Sequence, residues 1–548
     1  MMKSNRSSFR RCALLAATAA LLVSVAFAQE EPPDPNAQQA PGARGGARGG
    51  RGGGGGRGAV NPEVIAKAAA GAPQLPPGPV QPTWESLRAN YKTPDWIKDG
   101  KFGIFLHWGL YAVPAHGNEW YVQHMYSGGG MTWHVQKFGP VDKFGYKDFI
   151  PMFKAEKWDP DAWITLFKKA GAKYVVPAAE HHDGFAMWDS ALTKWDAKDM
   201  GPHRDLIGDL AVAARKQGMH FGVSNHRMEH YSFIRVPNVP SDLTDPAYQD
   251  FYWTMNHSDE LYQKFLQDWV ARNFELIDKY HPEMLWFDNG VNSRALDPVK
   301  LKVAAYYYSR AREWGQQVTL STKGRGESAA YLAATLHDLE RGRTVDIEDD
   351  WQEDTSIAHN SWGYNEDPLV IRNASELIRE LVDCVSKNGN YLLNLAPRAD
   401  GTIPENQQLR LLEIGDWLGV NGEAIYGTRA WTTWGEGPTS QGESRGDRGL
   451  TDGMLKVYTA HDMRFTTKGD TLYAILYAWP YGDEPAVITS LATGKAPAGK
   501  IEKVEMLGVA KPLQFTQDEK GLTVKMPTPP IKPCDFAYVL KITGLKLK

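Results

Sequence analysis

Histidines, carboxylates and tryptophans gather in five short clusters: His107-Trp-Gly, Glu119-Trp-Tyr, Glu180-His-His-Asp-Gly-Phe, Ser224-Asn-His and Trp286-Phe-Asp-Asn-Gly. Three chemistries compete for them. His181, His182 and Asp183 are of types that ligate a divalent metal. Adjacent residues on an extended strand point to opposite faces, however, which weakens a joint site. A serine nucleophile would need a sharp elbow such as GxSxG, and the chain has none. A pair of carboxylates in an aromatic, histidine-rich pocket suits glycoside hydrolysis: one attacks the anomeric carbon and the other protonates the leaving oxygen. The many Trp and Tyr residues offer flat apolar faces with a polar edge, surfaces that sugar pockets use. Composition alone does not select sugar over other ligands.

Each cluster follows a short apolar run. The runs are Gly103–His107, Tyr174–Ala178, His220–Ser224, Met284–Phe287, Val318–Ser321 and Tyr391–Leu395, with a weaker one near 344–347. Amphipathic helical stretches lie between them, among them 159–169, 206–217, 261–280, 298–314, 375–386 and 407–418. Asn373 with Glu376 three residues on fits a helix-opening capping box. Repeated β-then-α units of this length imply a parallel sheet, and about seven of them imply an α/β fold, a (β/α)-barrel over 81–430. Active sites of such barrels lie at the C-terminal strand ends, where the clusters fall. After about 431 the texture changes to short strands separated by turn residues, which reads as a small C-terminal β-sandwich over 431–548.

At 548 residues, 42% hydrophobic and 23% charged, the chain can bury a large core, so it is neither disordered nor fibrous throughout. A net charge of −4 argues against nucleic acid or an anionic membrane as the main partner. Residues 1–28 join basic residues, an apolar run and a small-x-small ending at Ala28, the pattern of a signal peptide with Gln29 as the mature start. Export to the periplasm or beyond is expected, with no membrane span after cleavage. Residues 29–80, with the run PGARGGARGGRGGGGGRG at 41–58, read as a disordered Pro/Gly/Arg-rich tether. Cys384 and Cys534 remain after cleavage; one disulfide is possible, but spacing alone cannot establish it.

The residues from Lys101-Phe-Gly-Ile-Phe-Leu-His-Trp-Gly-Leu-Tyr-Ala-Val-Pro onward resemble the opening motif of family-29 glycoside hydrolases, the α-L-fucosidases. Gly117-Asn-Glu-Trp-Tyr, His181-His-Asp-Gly-Phe, Arg204-Asp, Trp286-Phe-Asp, Ser361-Trp-Gly-Tyr, Gly389-Asn-Tyr-Leu-Leu-Asn and Asn421-Gly-Glu-Ala-Ile-Tyr follow in the family's order. Any one motif is modest; the ordered set, over about 85–430, is specific. The resemblance implies a retaining exo-α-L-fucosidase acting on fucosylated oligosaccharide or polysaccharide, with no metal and no cofactor. It implies Asp288 as nucleophile, and His107, Glu119, Trp120, His181, His182 and Trp286 as residues that hold fucose.

Three departures stand out. Where many family members have a Tyr after strand three, this chain reads Val223-Ser-Asn-His-Arg-Met-Glu-His, so Asn225 or His226 would take that place. A family Arg after strand five is replaced by Lys323, which keeps the charge but not the planar fork. Some relatives carry the proton donor in a Trp-Glu segment, and here that segment reads Trp351-Gln-Glu-Asp-Thr-Ser. Gln352 cannot act as an acid. Glu340 is the leading acid/base, Glu353 the second, with Asp354 and Glu348 behind. Two other readings stay open: the same fold acting on α-L-galactose, and a sugar-binding homologue that has lost its acid.

Overall fold

The computed structural model describes residues 61–323, 334–341, 347, 349–367, 369–440, 458–527 and 532–547. The leader, the RGG run and Glu348 lie outside the described residues. Eight parallel strands close into a barrel in chain order: β1 (Phe102–Leu106), β2 (Tyr174–Glu180), β3 (His220–Asn225), β4 (Met284–Phe287), β5 (Thr319–Lys323), β6 (Leu336–Asp338), β7 (Trp351–Ser356) and β8 (Gly389–Leu395). The sequence expectation counted one fewer and misplaced one. Both β6 and β7 escaped it, because Asp338 and Gln352 put polar side chains among their inward positions. Asp338 and Gln352 bond each other inside the barrel, with Gln352 Nε2 donating at 2.6 Å. Of the run expected near 344–347, residues 344–346 lie outside the described residues and Ile347 belongs to no strand.

Alternation sorts the strand side chains into two layers. Phe102, Ile104, Leu106, Leu285 and Phe287 face the surrounding helices. Phe105, Tyr174, Val176, Met284, Trp286, Leu336 and Leu392 fill the interior. Ile97, on the short helix Asp95–Gly100, joins that interior cluster from the N-terminal end. The interior is a packed floor, and chemistry is possible only above it. Helices Pro160–Lys169, Leu206–Lys216, Asp259–Tyr280, Asp297–Trp314, Ala374–Ser386 and Glu405–Asn421 lie within two residues of the expected stretches, or within three at one end. Asn373 caps its helix by accepting from the Glu376 N–H at 2.9 Å, but the Glu376 carboxylate accepts from Arg372 at 2.7 Å.

Residues 61–80 correct the expected tether. Helix Pro62–Gly71, capped by Asn61, buries Val64, Ile65 and Ala68 in the main core. A short apolar stripe was hidden in a Pro/Gly-rich stretch. The C-terminal region forms two antiparallel sheets. One holds β9 (Arg429–Glu436), β10 (Met463–Lys468), β11 (Thr471–Leu476), β13 (Gly499–Met506) and β16 (Tyr538–Leu545); the other holds β12 (Ala486–Ile488), β14 (Phe515–Asp518) and β15 (Gly521–Val524). Arg464 ties it to the barrel helix at Asp383, at 2.6 Å. Cys384 and Cys534 are both free thiols. Among the described residues, no helix is long and apolar enough to cross a membrane.

One strand glycine makes the floor possible. A Cβ on Gly103 would lie 2.4 Å from the Tyr174 ring. Tyr174 uses that space to donate its hydroxyl to Gln352 Oε1 at 2.9 Å. Gly103→Ala should therefore overpack the floor, lower stability by about 1–3 kcal/mol and depress the melting temperature; an unchanged calorimetric midpoint would refute this packing.

Candidate active site

A cavity of about 730 Å³ opens above the floor, at the C-terminal strand ends. Period-two alternation places its central acid: Met284 and Trp286 face inward on β4, and Asp288 is the next inward position. Lys323, ending β5, reaches Asp288 Oδ1 at 2.9 Å and Glu340 Oε2 at 2.8 Å. One ammonium thus touches both carboxylates. The two bonded oxygens lie no further apart than about 5.7 Å, the two contacts end to end. A lysine suits this task, since its separate N–H donors can serve two acceptors that a planar fork would not span in the same way.

Histidines surround the other Asp288 oxygen. His226 Nδ1 lies 3.2 Å from Oδ2, and His182 Nε2 lies 3.6 Å from it. Burial alone would raise the Asp288 pKa, but Lys323 and His226 outweigh it and hold this carboxyl well below the usual range. Burial lowers His226 to about 4, and holds His107 and His181 well below the usual imidazole value, with neighbouring imidazoles adding to the effect. At neutral pH the Asp288 carboxylate therefore meets the Lys323 ammonium and the neutral imidazoles of His107, His181 and His226.

Each remaining wall residue has a locating contact. His107 Nδ1 lies 2.8 Å from Asn394 Oδ1 on β8. Glu119 Oε2 accepts from the N–H groups of Trp362 and Gly363 at 3.0 and 3.1 Å. Trp286 Nε1 donates to Asp338 at 2.9 Å. Trp120, 39% exposed, stands edge-on to Phe233 at the rim. His181 and His182 both line the cavity although they are adjacent, because β2 ends at Glu180 and the chain then turns. Asp183 turns away and accepts from the Tyr146 hydroxyl at 2.7 Å.

Beneath the histidines lies a charge network. Arg227 bonds Glu180 at 2.5 Å and Asp268 at 2.6 Å; Arg272 bonds the same two acids at 3.4 and 2.9 Å. Glu180 immediately precedes His181, and Arg227 immediately follows His226.

The structure leaves two expected residues, Asn225 and Glu353, outside the pocket. Asn225 shares the outward face of Phe221 and Val223, and its Oδ1 accepts from the Arg227 N–H. Of the two choices for the family's Tyr, His226 alone enters the cavity. Glu353 follows the outward Trp351 by two residues on β7 and is buried near Cys384 and Tyr391, on the helix side. The same alternation corrects the second acid candidate. Gln352 lies in the barrel interior, bonded to Tyr174, Ser321 and Asp338, so its amide does not replace a pocket acid. Asp354 does line the cavity, but burial and the adjacent Asp338 raise it well above the usual range. Among the lining residues that the sequence reading left unassigned are Glu229, Phe233 and Trp362. Trp362 stood in the quoted Ser361-Trp-Gly-Tyr motif. Glu229 and Phe233 follow His226 at three and seven residues, a helical face that could have been read.

Donor atoms of His107, His181 and His226, and of His182, His226 and Asp288, lie within 4.8 Å of one another. The ammonium of Lys323 beside Asp288 makes this a poor place for a cation and a good one for hydroxyl groups that both donate and accept.

A family model described as alpha-L-fucosidase matches residues 68–423, and one described as its C-terminal domain matches 457–543. The chain belongs to the α-L-fucosidase family. It is 33% identical over 496 residues to bovine tissue alpha-L-fucosidase, covering 85% of this chain and 91% of the relative. Human tissue alpha-L-fucosidase is 32% identical over 496 residues, covering 86% and 93%. The crystal structure of Thermotoga maritima alpha-fucosidase in complex with fucose matches with a TM-score of 0.67 and 30% identity, covering 85% of this chain and all of that one. This family member is thus a glycoside hydrolase, an α-L-fucosidase. The relatives favour neither the L-galactose reading nor the inactive sugar-binding one.

Four buried imidazoles set its acid stability. His107, His181, His226 and His230 are lowered by burial, His226 to about 4 and His230 to about 3. Unfolding returns each to the ordinary value near 6.5, so the unfolded chain binds more protons below that pH. Asp183, raised by burial to about 6, acts in the opposite sense: its contribution is lost as pH rises from about 3.8 to 6. Asp196, Asp205, Glu229, Asp242 and Asp354 are raised as well, but these imidazoles, the lowered His124, His134, His281 and His359, and the lowered Asp268 and Asp288 carboxyls outnumber the raised acids. Stability should fall as pH drops from about 6.5 toward 4, with net proton uptake on unfolding; a melting temperature that stays level or rises over that span would contradict it.

Proposed function

We propose that the chain is an exo-acting, retaining α-L-fucosidase that releases terminal α-L-fucose from glycans by double displacement. The observation that carries this is the Lys323 bridge. It joins two carboxylates within about 5.7 Å, compatible with the roughly 5–5.5 Å separation of retaining enzymes and too short for the water an inverting site must hold. A floor closed by Phe105 and Trp286 supports exo action, since a blind pocket admits a chain end.

In the first step an Asp288 oxygen forms a bond to C1 of fucose while the C1–O bond to the aglycone breaks. Glu340 gives its proton to the departing oxygen. The product is a β-fucosyl ester. In the second step Glu340 takes a proton from water, the water oxygen attacks C1, and Asp288 leaves as the carboxylate. Lys323, His226 and His182 stabilise the Asp288 carboxylate before attack and on release. Glu340, 39% exposed on its side chain, can exchange its proton with solvent, whereas Asp354 is shut in beside Asp338. Imidazoles and Glu119 accept or donate to the ring hydroxyls, while Trp286 and Trp362 offer faces to the C–H surface and the C5 methyl.

The decisive measurement is the initial rate on 4-nitrophenyl α-L-fucoside beside the α-L-galactoside, and the fucoside should be preferred. Asp288→Ala should abolish turnover; residual activity above about one part in a hundred would exclude it as nucleophile. Glu340→Ala should lose far more rate on natural glycans than on the nitrophenyl substrate, and azide should restore a product. That pattern in Asp354→Asn instead would reassign the acid.

We further propose that residues 1–28 direct export and are removed. N-terminal sequencing of the protein recovered from its native compartment should begin at Gln29, and an intact Met1 would overturn this.

A further inference from the structure

Ser224 stands on β3 beneath the pocket, and none of the motif assignments uses it. Phe221 and Val223 face the helices, so alternation turns Ser224 inward, opposite Trp286 on β4. It is fully buried and does not line the cavity. Its hydroxyl lies 3.1 Å from His226 Nε2, and the other nitrogen of that ring, Nδ1, lies 3.2 Å from Asp288 Oδ2. Serine, imidazole and carboxylate are thus joined in one line. The order is that of a hydrolytic triad, but this hydroxyl is sealed under the ring and cannot reach a substrate.

The hydrogen-bonding capacity of each group fixes where the ring proton sits. Asp288 is held ionised by Lys323 against the effect of burial, and a carboxylate only accepts. Burial lowers His226 to about 4, so at neutral pH the ring carries one proton. With that proton on Nε2, the Nδ1 lone pair would face the anion, and the Ser224 O–H would need another acceptor. Among the described residues that hydroxyl has no other hydrogen-bond contact. With the proton on Nδ1, both contacts are hydrogen bonds: the Ser224 O–H donates to Nε2, and Nδ1–H donates to Oδ2. It is the one hydrogen bond that Oδ2 receives among the described residues, whereas Oδ1 meets Lys323 at 2.9 Å and the Asn289 N–H at 2.7 Å.

We propose that Ser224 is a positioning residue, which keeps the His226 proton on Nδ1 and aimed at the nucleophile while the nucleophile has no charge to hold it there. The inference rests on the reading of Asp288 as the nucleophile of a double displacement. In the free enzyme the Asp288 anion itself holds Nδ1–H. In the β-fucosyl ester that charge is gone, and an ester oxygen is a weaker acceptor than a carboxylate. Packing keeps the ring in place, with the Trp286, His181 and His107 centroids 5.1, 4.6 and 5.4 Å away. Packing does not distinguish one protonated nitrogen from the other. Ser224 does, because its O–H needs the Nε2 lone pair. The N–H therefore already points at Oδ2 when water attacks C1 and the carboxylate reforms, and it meets the developing charge without rearrangement.

Two measurements test this. In protein labelled with ¹⁵N-histidine, His226, assigned by the signal missing from His226→Gln, should show the Nδ1–H tautomer at neutral pH. Asp288→Ala removes the anion, as esterification does, and the tautomer should persist. In the double variant Asp288→Ala, Ser224→Ala it should give way to Nε2–H or to a mixture. Nε2–H in wild type, loss of Nδ1–H in Asp288→Ala alone, or its full retention in the double variant would each overturn the proposal.

The second measurement separates the two chemical steps in Ser224→Ala, a substitution that removes one buried oxygen and adds no bulk. On 4-nitrophenyl α-L-fucoside, kcat/KM reports formation of the ester. Reactivation of the enzyme trapped by 2-deoxy-2-fluoro-L-fucosyl fluoride reports its hydrolysis. Hydrolysis should slow about threefold to tenfold, the size of effect one hydrogen bond exerts, while ester formation stays near its wild-type rate. Equal losses in both steps, which a merely loosened pocket would give, or an unchanged hydrolysis rate would overturn the proposal. Failure of wild type to form a trapped ester would instead overturn the double-displacement reading, a failure that the tautomer measurements do not share.

Discussion

Two arginines and two carboxylates, gathered under the pocket histidines, are the constraint on which the site depends. Glu180 and Arg227 are buried, and each belongs to the turn that carries a pocket imidazole. Their contact joins the ends of β2 and β3, which also share the His226 N–H to Glu180 carbonyl bond at 2.9 Å. Arg272 and Asp268 bring in the long helix Asp259–Tyr280 and complete the neutralisation. Such a group need not stabilise the fold relative to apolar packing, but losing one member would strand a charge at a cost of about 3–5 kcal/mol. Guanidinium geometry also fixes direction, because a fork bound to two acids leaves few orientations for the adjoining backbone. His181 and His226 inherit that order.

Above this base the pocket separates its charges by environment. Burial keeps His107, His181 and His226 neutral, so they can donate or accept toward hydroxyl groups without fixed charge. Lys323 is the exception: burial opposes its charge, yet Asp288 and Glu340 outweigh burial and keep it cationic. It stabilises the carboxylate that must stay ionised. Four other acids face the same space, and their settings differ: Glu340 is bridged to Lys323, Asp354 is sealed beside Asp338, Glu229 is set against His182, and Glu119 accepts from the Trp362 and Gly363 N–H groups. Carboxyl groups of one chemistry become distinct tools through what each one touches.

The polar strands β6 and β7 explain much of the difference between expectation and structure. A barrel interior filled only by aliphatic side chains would read as apolar runs. Here Asp338, Gln352 and Tyr174 bond across it, with Trp286 donating in from the floor of the pocket. That network replaces apolar packing with satisfied hydrogen bonds, so the strands that carry it lack the hydrophobic signature.

The linear chain by itself determined the barrel, most of its strands and helices, the family, and the cluster of His107, Glu119, His181, His182, Trp286 and Asp288. Those features are local: apolar alternation, helical periodicity and residues fixed at strand ends. Tertiary structure alone decided which neighbours face inward. One residue along a strand reverses a side chain, so Asp354 lines the cavity while Glu353 turns to the helices, and His226 enters while Asn225 does not. It decided that Gln352 belongs to the interior, that 61–80 pack against the barrel, and that Lys323 stands between Asp288 and Glu340. It also brought Glu229 to His182, a contact between residues 47 positions apart. Such contacts depend on how strands twist and close, and closure of a barrel is a property of all eight strands together.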